Sequence, residues 1–404
     1  MTTTRAMTKP TAPTTRTACG LAVVAFLAVA GCSSGHHPTS GSTQPSSAIS
    51  TSSAVATTSA LPSAAPKAAA SAAFPASFAP ESVTFVSSQT GFVLGQVPCP
   101  TNLCYGLATT TDGGRTWRFV ANLPMPPQQD QPVTKVRFAD PRDGWVFGPQ
   151  LWATHDGGVS WHQLTTPAQV SDVEASAGLV YALSTSCSLS CSAPAKLLRA
   201  PVTSDAFVAV AGATLTTTSG WIALHGKSVW VLGGTVGPGV TYIWSQDGSS
   251  WASPADPCPT GSEPSYLVEV APVTTTTVYL LCSADPGAGS ETKIVMLSTD
   301  GGVTAHVTPG APAQGGLADD LAAASSSVVA VSAHSGASWI YRSADAGHTW
   351  GSAVEKDDGG MGFYDLGFTT TTQGVVVHGT PGNGNPSQLL MTRDAGATWT
   401  PVTF

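Results

Sequence analysis

The chain has 404 residues, only 10% of them charged, with 24 acidic against 16 basic side chains and a net charge of −8. A chain this acidic and this sparse in charge is a poor partner for nucleic acid or for anionic lipid headgroups. Its 42 glycines and 31 prolines favour turns and short strands over helices.

Residues 1–31 read as a signal peptide. Arg5, Lys9 and Arg16 precede Leu21–Ala30, a ten-residue apolar run too short to cross a bilayer as a helix. The run leads into Val29-Ala30-Gly31-Cys32, which resembles the lipobox of bacterial lipoproteins. That resemblance implies cleavage before Cys32 and lipidation of Cys32. It also implies anchoring in the cell envelope, on the outer face of the bacterial cytoplasmic membrane. Cleavage would leave 13 basic against 24 acidic residues. Residues 32–80 are Ser, Thr, Ala and Pro with almost no charge, and cannot bury enough apolar surface to fold. They read as a disordered tether with a root-mean-square reach of roughly 40 Å.

From residue 82 onward the chain is periodic. Thr110-Thr111-Asp112-Gly113-Gly114-Arg115-Thr116-Trp117 returns at Thr154–Trp161 around Asp156, at Ser343–Trp350 around Asp345, and at Thr392–Trp399 around Asp394. Two weaker copies lie between them. One, around Asp300, ends in Ala305 instead of Trp; the other runs from Ser245 through Asp247 to Trp251 and is one residue short. The pattern resembles the Asp box, or BNR repeat, of sialidase-superfamily β-propellers. Asp followed by Gly between apolar runs signals a tight hairpin turn, because Gly takes a positive φ without steric cost. The carboxylate can close the turn on backbone N–H groups, and the Trp supplies an apolar face with an indole N–H to satisfy. One carboxylate per repeat places these aspartates in separate units, as structural bolts and not as a catalytic cluster.

The six aspartates are separated by 44, 91, 53, 45 and 49 residues, so one unit lacks its box. An apolar run precedes each box, and Gly178–Leu183 (GLVYAL) supplies the missing one ahead of a boxless turn near Asp205. Seven units then start near residues 82, 133, 170, 218, 265, 318 and 362. A period of 40–50 residues with four short strands per unit is that of a propeller blade. The expected fold is all-β: a seven-bladed β-propeller over residues 81–404. Gly144–Gly148 (GWVFG) with Thr154–Trp161 also resembles the photosystem II stability and assembly factor, another seven-bladed propeller of this type.

Six cysteines remain beyond Cys19 and Cys32, and an exported, even set argues for disulfides. Spacing suggests Cys99–Cys104 and Cys187–Cys191, which leaves Cys258–Cys282. Nothing near these cysteines completes a four-ligand zinc site, so neither metal nor cofactor is expected.

In Asp-box propellers the box turn shares a face with the turn between the first and second strands, and those turns are short here. The opposite face is expected to carry long loops at Leu123–Thr134, Ala284–Glu291, Thr308–Asp320, Glu355–Gly362 and Gly379–Gln388, with the cysteines in or beside them. Long loops on a rigid scaffold are where binding usually resides. On the innermost strands, Asp172, Asp320 and Asp365, with Asp319 and Tyr364 beside them, form the best candidate binding cluster. Arg137 and Glu174 are placed to pair between neighbouring blades. Of the seven arginines beyond Cys32 only Arg137 lies on an inner strand, so the three-arginine carboxylate clamp of sialidases is not available. The expectation is a monomeric binding or assembly scaffold, without catalysis, presenting a propeller face to a cell-envelope protein or glycan. The alternative is a glycoside hydrolase using two carboxylates.

Overall fold

The computed structural model describes residues 73–99, 104–125, 133–165, 169–185, 193–234, 240–260, 265–287, 289–380 and 387–404. The proposed signal peptide, Cys32 and the Cys187–Cys191 pair lie outside them, as does nearly all of the proposed tether. The described residues form a seven-bladed β-propeller. Each blade is one antiparallel sheet made of consecutive strands: residues 79–122, 135–163, 169–209, 220–245, 265–307, 317–357 and 363–401. Blade 4 has three strands, its fourth reduced to a bridge between Trp244 and Ala252.

The first strand of each blade is innermost. These strands are Ala79–Phe85, Lys135–Phe138, Gln169–Ser176, Gly220–His225, Ser265–Pro272, Leu317–Ala323 and Phe363–Phe368, and each neighbours the next around a closed ring. The second strands, such as Gly144–Phe147 and Gly374–His378, are almost wholly buried between sheets. They read as continuous apolar runs because both of their faces meet another blade.

Seven apolar clusters fill the seven blade–blade interfaces. The repeat tryptophans each join the cluster shared with the preceding blade: Trp117 with blade 7, Trp161 with blade 1, Trp251 with blade 3, Trp350 with blade 5 and Trp399 with blade 6. Blade 5 has Ala305 at that position, and blade 4 compensates. Trp230 Nε1 and Tyr242 Oη both donate to the Gly301 carbonyl, at 2.7 and 3.1 Å, while the Trp244 ring covers the turn. Among the repeat tryptophans, Trp161 donates its indole N–H to Gly158 O at 3.0 Å. The indole nitrogens of Trp117, Trp251, Trp350 and Trp399 are buried without a partner among the described residues.

The repeated turns are closed by their aspartates. Asp156 accepts from the N–H and hydroxyl of Ser160 and from Thr154 Oγ1, and Asp112 does the same with Thr116 and Thr110. In five of the six boxes the residue after the Asp donates its N–H to the turn between the first and second strands of its own blade. These bonds run from Gly113 to Gln89, Gly157 to Arg142, Gly301 to Thr276, Ala346 to Ser327 and Ala395 to Thr372. Both sets of turns therefore occupy one side of the ring.

On the other side, two of the expected loops are strand. Residues 284–287 and 289–291 belong to a long hairpin formed by Val278–Gly287 and Ser290–Ser298, and Glu355–Asp357 is the outer strand of blade 6. Cys99–Cys104 closes the hairpin between the second and third strands of blade 1. Cys258–Cys282 ties the connection after blade 4 to blade 5, with Cys282 buried inside a strand and not beside a loop.

Among the described residues no strand is shared across the ring closure. Blade 7 meets blade 1 through Val83, Val93, Val375, Val377, Leu389 and Met391. Arg393 Nη2 donates to Gly113 O at 2.7 Å across the same seam. Phe74 and Phe78, which precede the expected domain start, pack with Phe119 and Phe404.

Candidate functional site

Five of the innermost strands carry a β-bulge, in blades 1, 3, 5, 6 and 7. A bulge leaves backbone groups out of the ladder and re-aims side chains. At or beside four of these bulges a polar side chain reaches a backbone N–H on the innermost strand of the next blade. Ser82 Oγ accepts Val136 N at 3.0 Å, Asp172 Oδ2 accepts Ile222 N at 2.7 Å, Asp320 Oδ2 accepts Leu366 N at 3.2 Å and Asp365 Oδ2 accepts Val83 N at 3.1 Å. Three of the five residues expected to form a ligand cluster therefore clasp one blade to the next.

Asp365 is the hub. It sits at φ +54° with a side chain 4% exposed, and meets Ser82 Oγ at 2.5 Å, Lys135 Nζ at 2.8 Å and Arg137 Nη2 at 3.4 Å. Arg137 continues to Glu174, Nε to Oε1 at 2.6 Å, so charge runs unbroken from blade 7 through blade 2 to blade 3. Burial opposes the Asp365 charge, but Lys135 and Arg137 outweigh it and hold the carboxyl well below the usual range.

Among the described innermost strands, only that of blade 2 carries a lysine or arginine. Burial, reinforced by Glu174, raises Asp172 to about 7. Burial raises Asp320 to about 6 despite Lys135, and pushes Glu269 well above the ordinary Glu value. A carboxyl raised in the fold stabilises it fully below the unfolded-state pKa and loses that contribution as pH climbs through the folded value. Asp320 therefore weakens the fold between about pH 4 and 7, on the order of 2 kcal/mol after allowance for its partial solvent access. Asn at this position keeps an acceptor for Leu366 N and carries no charge. Asp320→Asn is expected to flatten the decline in urea midpoint between pH 5 and 7.5; an unchanged slope would refute this assignment.

Asp319 and Tyr364 belong to a different group. Asp319 Oδ2 lies 2.6 Å from His334 Nδ1, and the Tyr364 ring meets the His334 ring edge-on at 5.9 Å. Nearby is a feature that sequence reasoning missed. Lys293, with no accessible surface, directs Nζ at the carbonyls of Glu291, Ala313, Gln314, Gly315 and Gly316, at 2.7–3.4 Å. Burial pulls it down to about 8, against the attraction of Glu291 and Asp319. Glu291 itself accepts Tyr266 Oη and Ala318 N, both at 2.7 Å. The connection between blades 5 and 6, expected as a free loop at 308–320, is thus built around a buried ammonium. Strict alternation was the available signal: Glu291 and Lys293 share the inward face of Val295.

Blade 4 alone among the described blades leaves its third strand covered only by a single bridge. Beside the third strand of blade 4, Thr241–Ser245, lies a groove of about 320 Å³. Thr216, Thr241, Ile243, Pro254, Asp256 and Pro257 contribute to its walls. Trp244 spends its outward N–H and C=O on Ala252. By the two-residue period of a strand, the Tyr242 backbone points outward on the same edge.

No protein family and no curated protein matches the chain in sequence. Solved structures do match in fold. YCF48 bound to D1 peptide aligns with TM-score 0.54 and 18% identity, covering 78% of this chain and 93% of that chain. YCF48 from Cyanidioschyzon merolae gives 0.53 and 15%, covering 80% and 97%. A polysaccharide lyase of family PL25, an ulvan lyase bound to a GlcA(1-4)Rha3S saccharide, gives 0.51 and 10%, covering 82% and 97%. Binding proteins and enzymes share this architecture, so function has to be argued from the site.

Proposed function

We propose that this chain is a non-catalytic binding propeller that holds a protein partner in the cell envelope. In this reading it is carried outside the cytoplasmic membrane by a lipid on Cys32 and the tether at 32–80. The observation that carries the non-catalytic reading is the fate of the inner-strand charges. A two-carboxylate hydrolase needs an acid and a base or nucleophile flanking a cleft. Here Asp172, Asp320 and Asp365 each hold a backbone N–H of the next blade, and Asp365 is further neutralised by Lys135 and Arg137. The blade 4 edge favours a protein over a glycan, since an extended segment can add to an unpaired strand. The peptide held by one YCF48 structure accords with a partner of that kind.

Envelope extract passed over the immobilised full chain is expected to yield a discrete protein, competed away by free chain. Thr216 is exposed on the groove wall, and Thr216→Trp is expected to weaken capture at least tenfold without altering the melt. Unchanged capture in that variant would remove the blade 4 edge from the proposal. Cleavage of envelope or algal polysaccharides by the chain, lost in Asp365→Asn, would overturn the non-catalytic reading itself.

A further inference from the structure

Blade 3 lacks the repeated turn, and its substitute turn brings Asp205 to the edge of blade 2. Between the third and fourth strands of blade 3, Lys196–Pro201 and Val208–Ala209, Asp205 reaches two histidines. His162 Nε2 lies 2.6 Å from Asp205 Oδ2, and His155 Nε2 lies 3.3 Å from Asp205 Oδ1. All three donor atoms fall within 4.8 Å of one another. We propose that His155, His162 and Asp205 form a binding site for a divalent transition-metal ion of the Zn²⁺ class, stapling blade 2 to blade 3.

Three features support it. Zinc at about 2.0–2.2 Å from N and O donors needs donor atoms about 3.4 Å apart, a spacing that small ring rotations here would reach. His155 is already oriented: its Nδ1 meets Oδ1 of the buried Asp143 at 2.5 Å, which leaves Nε2 facing Asp205. A carboxylate on the far nitrogen is the usual outer support of a metal-binding histidine. Two imidazoles and one carboxylate also suit zinc, nickel or copper, and not calcium or magnesium, which prefer oxygen donors. His162 and Asp205 are exposed, so a fourth position remains open to water or to a partner's side chain. No short-range ligand motif marks this site in the sequence. The histidines sit in the blade 2 repeat, and Asp205 is distant in sequence.

Calorimetric titration of the full chain with ZnCl₂ is expected to show one saturable site and a Zn²⁺-dependent rise in Tm. CaCl₂ and MgCl₂ should give neither. His162→Ala and Asp205→Asn, both at exposed positions, should each weaken Zn²⁺ at least tenfold, whereas His306→Ala in blade 5 should not. Co²⁺ substitution adds a readout independent of stability, through visible bands of a low-coordinate N/O site that vanish in both variants. Absence of saturable Zn²⁺ binding would overturn the proposal. So would binding that survives both substitutions, which would place it elsewhere, for instance on His36 and His37.

Discussion

Asp365→Ala is expected to cost about 4 kcal/mol of unfolding free energy, read as a fall in urea midpoint, and to loosen the blade 7–blade 1 seam before the rest of the ring. Removing one member of a buried ion pair costs about 3–5 kcal/mol, because the other charge stays behind. Here two cations stay behind, Lys135 and Arg137, of which Lys135 keeps 38% of its side chain accessible and so suffers less. Ser82 and Val83 N also lose their acceptor. Alanine adds a backbone penalty at φ +54°, about 1 kcal/mol, that Asn largely escapes. Asp365→Asn should therefore fall between wild type and Ala. Because the Asp365 carboxyl titrates below its unfolded value, its contribution is present above about pH 4 and lost in acid, opposite in sign to that of Asp320. Equal midpoints for wild type and Ala would show that the ring does not depend on this hub.

Lys293→Met is expected to cost about 3 kcal/mol and to release the connection at 310–316. Methionine matches the length of the stem but offers no donor, leaving five carbonyls to share none of the three N–H groups they now divide. Each buried acceptor left unpaired costs about 1–3 kcal/mol, moderated where water can reach it. Glu291 would keep Tyr266 and Ala318 N but lose its nearby cation. Hydrogen exchange should accelerate at Gly315–Ala318 and in the strand Ser338–Ser343, whose Tyr341 donates its hydroxyl to Gly315 O and lies under the Lys293 ammonium, with little change in blades 1 and 2. A uniform acceleration around the ring would mean that Lys293 serves global stability and not this connection.

What could be read from the sequence was local, and what could not was distant. The repeated turn declares itself within eight residues, because Asp, Gly and Trp act on one another across a single hairpin. Blade spacing followed from it, and even the boxless blade was found through Gly178–Leu183. The ion pair of Lys135 with Asp365 spans 230 positions, and no pattern in either strand points to the other. The aspartates of the inner strands looked like a ligand cluster because acidic residues on a channel wall have no evident local use. Their use is the backbone of the next blade, which they reach from bulges that sequence periodicity does not reveal. Ala305 told a similar story: the gap was visible, but the tryptophans that fill it belong to blade 4. Lys293 was legible in part, since alternation put it on an inward face where a lysine needs a reason.

The seam between the last and first blades also has a mechanical meaning. A pull arriving from the residues before Phe74 meets an aromatic clamp before it meets the sheet. Phe74 stacks on Phe404 at 5.5 Å, and Phe78 lies 4.8 Å from the same ring. Only when that clamp yields does load reach the Ala79–Gln96 pair at the end of the innermost strand. In a chain towed by one end, those phenylalanines would act as strain relief, guarding the one blade–blade joint among the described residues that no connecting segment of chain crosses.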